Sequence, residues 1–442
     1  MNTRKAILVV DLAYGDCGKG TIVDFPTRQC RADAVVRFSG GPQAGHNVVT
    51  PDGRHHTFSQ FGSGTFVPGV QTVLSRYMLV EPYALYNEEA HLRQIGISDA
   101  MTRLHIDARC PIITPIHQAA NRLREVARGS AAHGTCGMGV GEIMQDLRDH
   151  PEVIFYAGDL ADRALVKSRL LRLRDLKASQ LHDAIRDLAA HPELQLEIQT
   201  LLDLSWMETA FNLYARLHER VCECDQWMRS SETLVFEGAQ GVLLDETFGF
   251  YPYTTWSTTT FQNAEQLLND SRFDGQRTRI GVLRSYFTRH GPGPLVTEDA
   301  ALRGRLAEPH HSETGWQGRF RTGPFDAVAA RYALSAAGGV DLLAITHLDQ
   351  LEKLPPRICA AYANQDAAPF DLPLFTQPTT EIMDRVTQQL VRCKPVYTAI
   401  DGPLIRSRFL EHLETLLNTS TTLQSFGPTA NEKIWHGQTP SE

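Results

Sequence analysis

The segment Ala6 to Leu12 (AILVVDL) is a near-continuous apolar run that empties directly into a glycine loop, Gly15-Asp16-Cys17-Gly18-Lys19-Gly20-Thr21. Such a run suits a strand covered on both faces, which puts it at the centre of a mostly parallel sheet. The helix-like Ile22 to Gln29 follows. Strand, glycine loop and helix in that order let several backbone N–H groups and a helix N-terminus converge on one anion, so the loop reads as a phosphate site. It is not a standard P-loop: Ala13 stands at the first glycine position, and Gly20 follows Lys19 where Ser or Thr would be required. Asp16 would repel phosphates unless a cation or a proton mediates. It is therefore a candidate Mg²⁺ ligand, a general base, or both.

Further strands are predicted at Asp33 to Phe38, Gln71 to Val80, Thr233 to Phe236, Arg279 to Tyr286, Asp341 to Thr346 and Cys359 to Ala363. Helical periodicity is read at Pro82 to Ile95, His117 to Arg128, Leu165 to His191, Leu194 to Trp227, Phe325 to Ala337 and Glu381 to Val391. The alternation predicts an α/β fold around a large, mostly parallel twisted sheet with flanking helices. The glycine-free stretch of about 160–228 reads as a helical insertion within a single catalytic domain spanning 1–442. Arg37 to Gly64, Gly129 to Gly141 and Gly238 to Gln262 read as long loops, the usual carriers of function.

Charge narrows the partners. With 43 Lys+Arg against 51 Asp+Glu the net charge is -8, so no broad grip on a nucleic-acid backbone is expected, and any phosphate is held locally. No apolar run reaches the roughly 20 residues of a membrane helix and the first residues lack a signal-peptide pattern, so no membrane partner and a cytoplasmic location are expected. Eight scattered cysteines imply reduced thiols, and Cys222 and Cys224 form a C-x-C with no second half to complete a zinc site.

The first loop, followed by Ile22-Val23-Asp24, resembles the signature loop of the adenylosuccinate synthetase family, and further motifs match in order. They are Val35 to Phe38 with Gly40-Gly41-Pro42-Gln43-Ala44-Gly45-His46; Gly134 to Gly139; Glu237 to Gly241 with Leu243 to Asp245 and Gly249 to Thr255. Later come Tyr286 to Arg289 with Gly293-Pro294 and Thr297-Glu298, then Gly318 to Gly323, Thr346 to Asp349 and Ser425 to Pro428.

The resemblance implies a ligase that joins IMP and L-aspartate with GTP and Mg²⁺: the 6-oxygen is phosphorylated, and the amine then displaces the phosphate. By the same resemblance Asp16 is the base, His46 the acid, and Lys19 neutralises charge on the transferred phosphoryl. Asp16 and the Gly45 carbonyl would hold Mg²⁺. GTP would lie on Gly15 to Thr21, Gly45, His46, Asn47, Arg321, His347, Leu348, Asp349 and the turn Ser425, Phe426, Gly427. The IMP-like substrate would meet Asp16, Lys19, Gln43, His46, Cys136, Gln240, Thr255 and Arg319, and the aspartate would meet Trp316, Gln317, Arg319 and Arg321. A homodimer is expected, as in the family.

Several positions depart from the family pattern. Gln43 replaces an Asn and Pro42 a His; Cys136 replaces a phosphate-binding Thr; Trp316-Gln317 stand where adjacent threonines are usual. Cys17 replaces a Glu, and a neutral thiol is expected there. No arginine occurs in Asp149 to Tyr156, where the family carries one to the partner subunit's substrate phosphate. His347 stands in place of Lys, which leaves ATP open beside GTP. Two alternatives follow: a paralogous ligase of the same mechanism with another nucleotide, acceptor or amine, and a nucleotide-binding protein without catalysis.

Overall fold

The computed structural model describes residues 4–129, 132–302, 304–306, 316, 318–354, 357–400 and 405–436. Its spine is a ten-stranded sheet ordered Lys433–Trp435, Thr421–Ser425, Leu342–Thr346, Gln276–Arg284, Lys5–Asp11, Thr233–Gly241, Ala34–Arg37, Gln71–Leu74, Leu104–Asp107 and Val221–Cys222. Every neighbouring pair is parallel except the edge pair Thr421–Ser425 and Lys433–Trp435. The apolar opening run is fully buried from Ala6 to Asp11, as a strand with neighbours on both sides requires. Its partners Thr233–Gly241 and Gln276–Arg284 lie more than 220 residues away in the chain. The carboxyl ends of five adjacent parallel strands, at Thr346, Arg284, Asp11, Gly241 and Arg37, therefore open onto one side of the sheet, where α/β folds place ligands.

Helices flank this sheet at Lys19–Gln29, Pro82–Gln94, Pro115–Ala127, Gln262–Asp270, Ala327–Ala336, Thr380–Leu390 and Ile405–Leu417. One apolar core surrounds the central strands; a second lies under the helices Pro82–Gln94, Pro115–Ala127, Arg163–Gln180 and Met207–His218.

Four expectations change. The strand predicted over Gln71 to Val80 ends at Leu74, because the chain turns at Ser75 to Met78, and Val80 forms only an isolated bridge to Ile112. The supposed loop Arg37 to Gly64 contains the hairpin His46–Val49 and His55–Phe58. Helix Val140–Asp149 follows directly on Gly139, whose φ of 82° caps it. The long helical stretch is broken into Arg163–Gln180, His182–Leu188, Gln195–Leu202, Met207–His218 and Asp225–Ser230, with Asp203 accepting from Ser205 N at one restart. Within that stretch Val221–Cys222 is a strand, because Ile106 and Asp107 offer it an open sheet edge.

Candidate functional site

The first glycine loop is organised by a residue that the sequence reading left in the strand. Asp11 is fully buried at the strand's end, and its carboxylate accepts from Ala13 N at 2.8 Å, Gly15 N at 3.2 Å and Cys17 N at 2.7 Å. Lys19 Nζ lies 3.3 Å from the same carboxylate and donates to the Gly15 carbonyl at 2.7 Å. A lysine this deeply buried needs such a counter-charge. Burial, with Asp11 adding to it, pushes the Cys17 thiol well above its usual value, so the thiol is neutral as expected. Two glycines make the close approaches possible. A Cβ on Gly241 would come 2.2 Å from the Ala13 carbonyl oxygen, and one on Gly20 would come 2.7 Å from the Asn47 carbonyl oxygen. The loop can thus press against both the central sheet and the hairpin that begins with His46.

His46 is 4% exposed, and its Nδ1 lies 2.5 Å from Glu237 Oε1. Glu237 also accepts from Ser63 N at 2.9 Å and from the Ser63 hydroxyl. Burial alone would raise the Glu237 carboxyl, but the Arg37 charge, then His46 and Ser63, hold it down at about 2. Burial lowers His46 to about 4 against the pull of Glu237, so the ring is neutral at pH 7 and its Nδ1–H is committed to the carboxylate. Nε2 is the end left for a ligand. Glu237 was visible in the sequence only as the first letter of a motif.

Asp16 follows Gly15 in the loop that Lys19 closes. Its Oδ2 is buried without a hydrogen-bond partner, and His290 Nε2 is 3.8 Å away. A buried carboxylate oxygen with a free lone pair fits a hard cation. Among the described residues no group of three or more His, Cys, Asp or Glu could cage a metal, so Mg²⁺ at Asp16 would need oxygen ligands from the nucleotide phosphates. Gly45 lies exposed just before His46, which leaves room for that arrangement.

Among the residues expected to meet the acceptor, Gln43 carries an amide whose oxygen and nitrogen are both buried without partners, and Gln240 Oε1 is likewise unpartnered. Both approach Gly40, where a Cβ would lie 3.0 Å from Gln240 Oε1 and 3.4 Å from Gln43 Nε2. Gln240 holds a left-handed φ of 48°, which turns it out of the strand end. Thr255 is half-buried and anchored through its N–H to the Leu244 carbonyl at 2.8 Å. Cys136 is half-buried in the third glycine loop, where burial raises its thiol, and the loop is held by Glu125 accepting from Gly134 N at 2.6 Å. Trp316 reaches this loop: a Cβ on Gly137 would lie 3.0 Å from its indole, and Arg122 stacks 5.9 Å from the ring.

Arg319 and Arg321 converge on one internal carboxylate. Arg319 Nη2 is 3.0 Å from Glu298 Oε1 and Arg321 Nη1 is 2.9 Å from Glu298 Oε2. Arg321 Nη2 also donates to the Gly293 carbonyl at 2.8 Å. Gln317 lies outside the described residues.

The residues expected to meet the nucleotide base come from the C-terminal part of the chain. His347, at a left-handed φ of 57°, lies 2.7 Å from Arg284 Nη2 and 2.8 Å from Thr346 Oγ1. Thr346 donates in turn to the Cys17 carbonyl at 2.8 Å, which ties this end to the first loop. Leu348 is buried, whereas Asp349 is exposed and takes a hydrogen bond from Gln350. Ser425 Oγ donates to the Gly427 carbonyl at 3.2 Å, Arg406 stacks 4.8 Å from the Phe426 ring, and Thr21 Oγ1 donates to the Pro428 carbonyl at 2.6 Å. The side chain of Asn47 is used within the hairpin, accepting from Thr57 Oγ1 at 2.7 Å.

The sequence profile of the adenylosuccinate synthetase family matches residues 8–434. The adenylosuccinate synthetase of Pseudomonas fluorescens is 33% identical over 441 residues, covering 97% of this chain and 98% of the relative. That of Ectopseudomonas mendocina is 33% identical over 442 residues with the same coverage. Among solved structures, fully ligated adenylosuccinate synthetase from Plasmodium falciparum has a TM-score of 0.78 at 21% identity, covering 99% of this chain and 100% of that one. Succinoaminodeoxyadenylate synthetase (PurZ) of cyanophage S-2L, bound to dGMP and to dATP as an energy donor, has a TM-score of 0.59 at 17% identity, covering 99% and 96%. These two likenesses carry the fold; the profile and the bacterial relatives carry the family. The chain belongs to the adenylosuccinate synthetase family, whose members are ligases that form carbon–nitrogen bonds.

Proposed function

We propose that the chain joins a 6-oxopurine nucleotide to an amino-acid amine at the expense of GTP, with IMP and L-aspartate as substrates and adenylosuccinate, GDP and phosphate as products. The observation that supports this reading is the buried His46–Glu237 pair packed against the Lys19 loop, which also carries the unpartnered carboxylate oxygen of Asp16. These groups supply the base, acid and charge neutralisation that phosphorylating an amide-type oxygen demands.

Asp16 removes the proton from the ring nitrogen next to the 6-oxygen, which makes that oxygen nucleophilic. Lys19 faces the charge that develops on the transferred phosphoryl. His46 meets the phosphates through Nε2. Their negative charge raises its proton affinity from the ligand-free value of about 4, so it can donate to the bridging oxygen as GDP leaves. Glu237 keeps the ring in that tautomer and stabilises its charged form. Asp16 and the Gly45 carbonyl would hold Mg²⁺, which would supply charge neutralisation for the phosphates and for Asp16. Arg319 and Arg321 then receive a carboxylate of the amino acid, in the place where Glu298 now satisfies them. The chain would act as a homodimer.

A second reading has its own support. The unpartnered Gln43 amide, the Cys136 thiol and the Trp316 indole change the acceptor rim, and the cyanophage relative carries dGMP as its purine nucleotide and dATP as its energy donor. A different purine acceptor, or ATP as donor, fits those changes. Incubation with Mg²⁺, GTP, IMP and L-aspartate, followed by chromatography for adenylosuccinate with Asp16→Asn as control, decides between the readings. IMP-dependent product supports the first. GTP turnover only with another 6-oxopurine nucleotide supports the second.

A further inference from the structure

We propose that Cys222 and Cys224 form a hydroperoxide-oxidisable pair that closes a disulfide across their C-x-C turn. The two Sγ atoms are 3.7 Å apart. Cys222 ends the outermost strand of the ten-stranded sheet, opposite Asp107, and is half-buried; Cys224 is fully buried at the start of the helix Asp225–Ser230. One sulfur is thus open to a small oxidant, while the other is shielded and adjacent, the arrangement of an attacking and a resolving thiol.

The surroundings separate this pair from the remaining cysteines. His105 hydrogen-bonds Cys222, and the ring is itself held by Gln71 Oε1 at 3.0 Å and packed 4.4 Å from Trp227. Cys110, buried nearby, points at the Ser75 carbonyl at 3.1 Å and is occupied there. The hydrogen bond from Cys224, then the one from His105, lowers the Cys222 thiol against burial and the Asp107 charge. Burial instead pushes up Cys17, Cys30, Cys110, Cys136, Cys359 and Cys393. Thiolate character is what makes a cysteine nucleophilic.

The chemistry balances with hydrogen peroxide as the named oxidant. The Cys222 thiolate attacks the peroxide, an S–O bond forms as O–O breaks, and the departing hydroxide leaves as water after taking a proton. Cys224 then gives up its proton and attacks the Cys222 sulfur; S–S forms as S–O breaks, and a second water departs. Two thiols lose two electrons and one peroxide gains them.

The test uses the reduced full-length chain and hydrogen peroxide, with trypsin digestion after the remaining thiols are blocked. Cleavage after Arg220 and Arg229 puts both sulfurs in one peptide, Val221 to Arg229, with no other cysteine. The expected result is that this peptide loses about 2 Da before any other cysteine is oxidised, and that Cys222 alkylates roughly tenfold faster than Cys30 or Cys393 at pH 7. In Cys224→Ser, dimedone should trap sulfenic acid on Cys222. Earlier oxidation elsewhere, an intermolecular disulfide, or an unmodified Val221 to Arg229 peptide would overturn the proposal; the wild-type result decides even if the variant misfolds.

Discussion

Asp11, Lys19, His46 and Glu237 all find their partners inside the chain, whereas the Gln43 amide and the Gln240 carbonyl, a few residues away, find none. In the first region the buried carboxylates face opposite charges, Asp11 with Lys19 and Glu237 with Arg37, and the Ala13, Gly15 and Cys17 N–H groups are held by Asp11, while Asp16 keeps one carboxylate oxygen open. The second leaves buried polar atoms unpaired, a costly state that a ligand's hydrogen bonds would relieve. On the proposed function, most of the phosphoryl-transfer side would be set before substrate arrives, and the acceptor side would be completed by the substrate. On that proposal, specificity would rest where the protein leaves the pairing undone.

The comparison is broken most severely by removing the reacting groups. His46→Asn and Asp16→Asn are each expected to cut product formation by about a thousandfold or more with the fold intact by circular dichroism, measured as phosphate release. Asp11→Asn comes next. It leaves Lys19 buried without its counter-charge, and urea unfolding should show a loss of about 3 kcal/mol or more.

Acid should separate the two regions as well. The folded chain keeps His46 neutral down to about pH 4, while an unfolded histidine protonates near 6.5, so protons bind the unfolded state first. Stability is therefore complete above pH 6.5 and is lost as pH falls toward 4, by up to about 3.5 kcal/mol at roughly 1.4 kcal/mol per unit. Glu237, held at about 2, adds a further loss below its ordinary value of 4.5. Thermal melts against pH should show this slope in the wild type and a flatter one in His46→Gln.

Smaller effects belong to the acceptor side. Glu298→Gln frees Arg319 and Arg321 from their internal carboxylate and is expected to lower the KM for the amino acid about threefold, with kcat unchanged, in initial-rate assays. Gln43→Asn, which shortens the unpaired amide, is expected to shift the acceptor KM by a few-fold without affecting GTP binding.

Much of this was legible in the sequence because strand, loop and glycine spacing are local. The central strand within Ala6 to Leu12 and the glycine loop that leads from it into the helix lie where their patterns place them. The hairpin His46–Val49 and His55–Phe58 was not legible, since four-residue strands rich in His and Asn carry too little apolar alternation. Asp11 reads as one polar letter in an apolar run, and only the loop folding back over it reveals an anion at its centre. Glu298 and Glu237 gain their roles from residues 21 and 191 positions away, which no local pattern records.

The central claim is that the donor side phosphorylates the acceptor's 6-oxygen before the amine arrives. The most direct test supplies IMP carrying ¹⁸O at that oxygen, with Mg²⁺, GTP and L-aspartate, and reads the released phosphate by mass spectrometry. Because the oxygen stays with phosphorus when the amine displaces it, the account predicts one ¹⁸O in the phosphate for each product formed. Product accompanied by unlabelled phosphate would contradict it, since the phosphoryl group would then have gone to water.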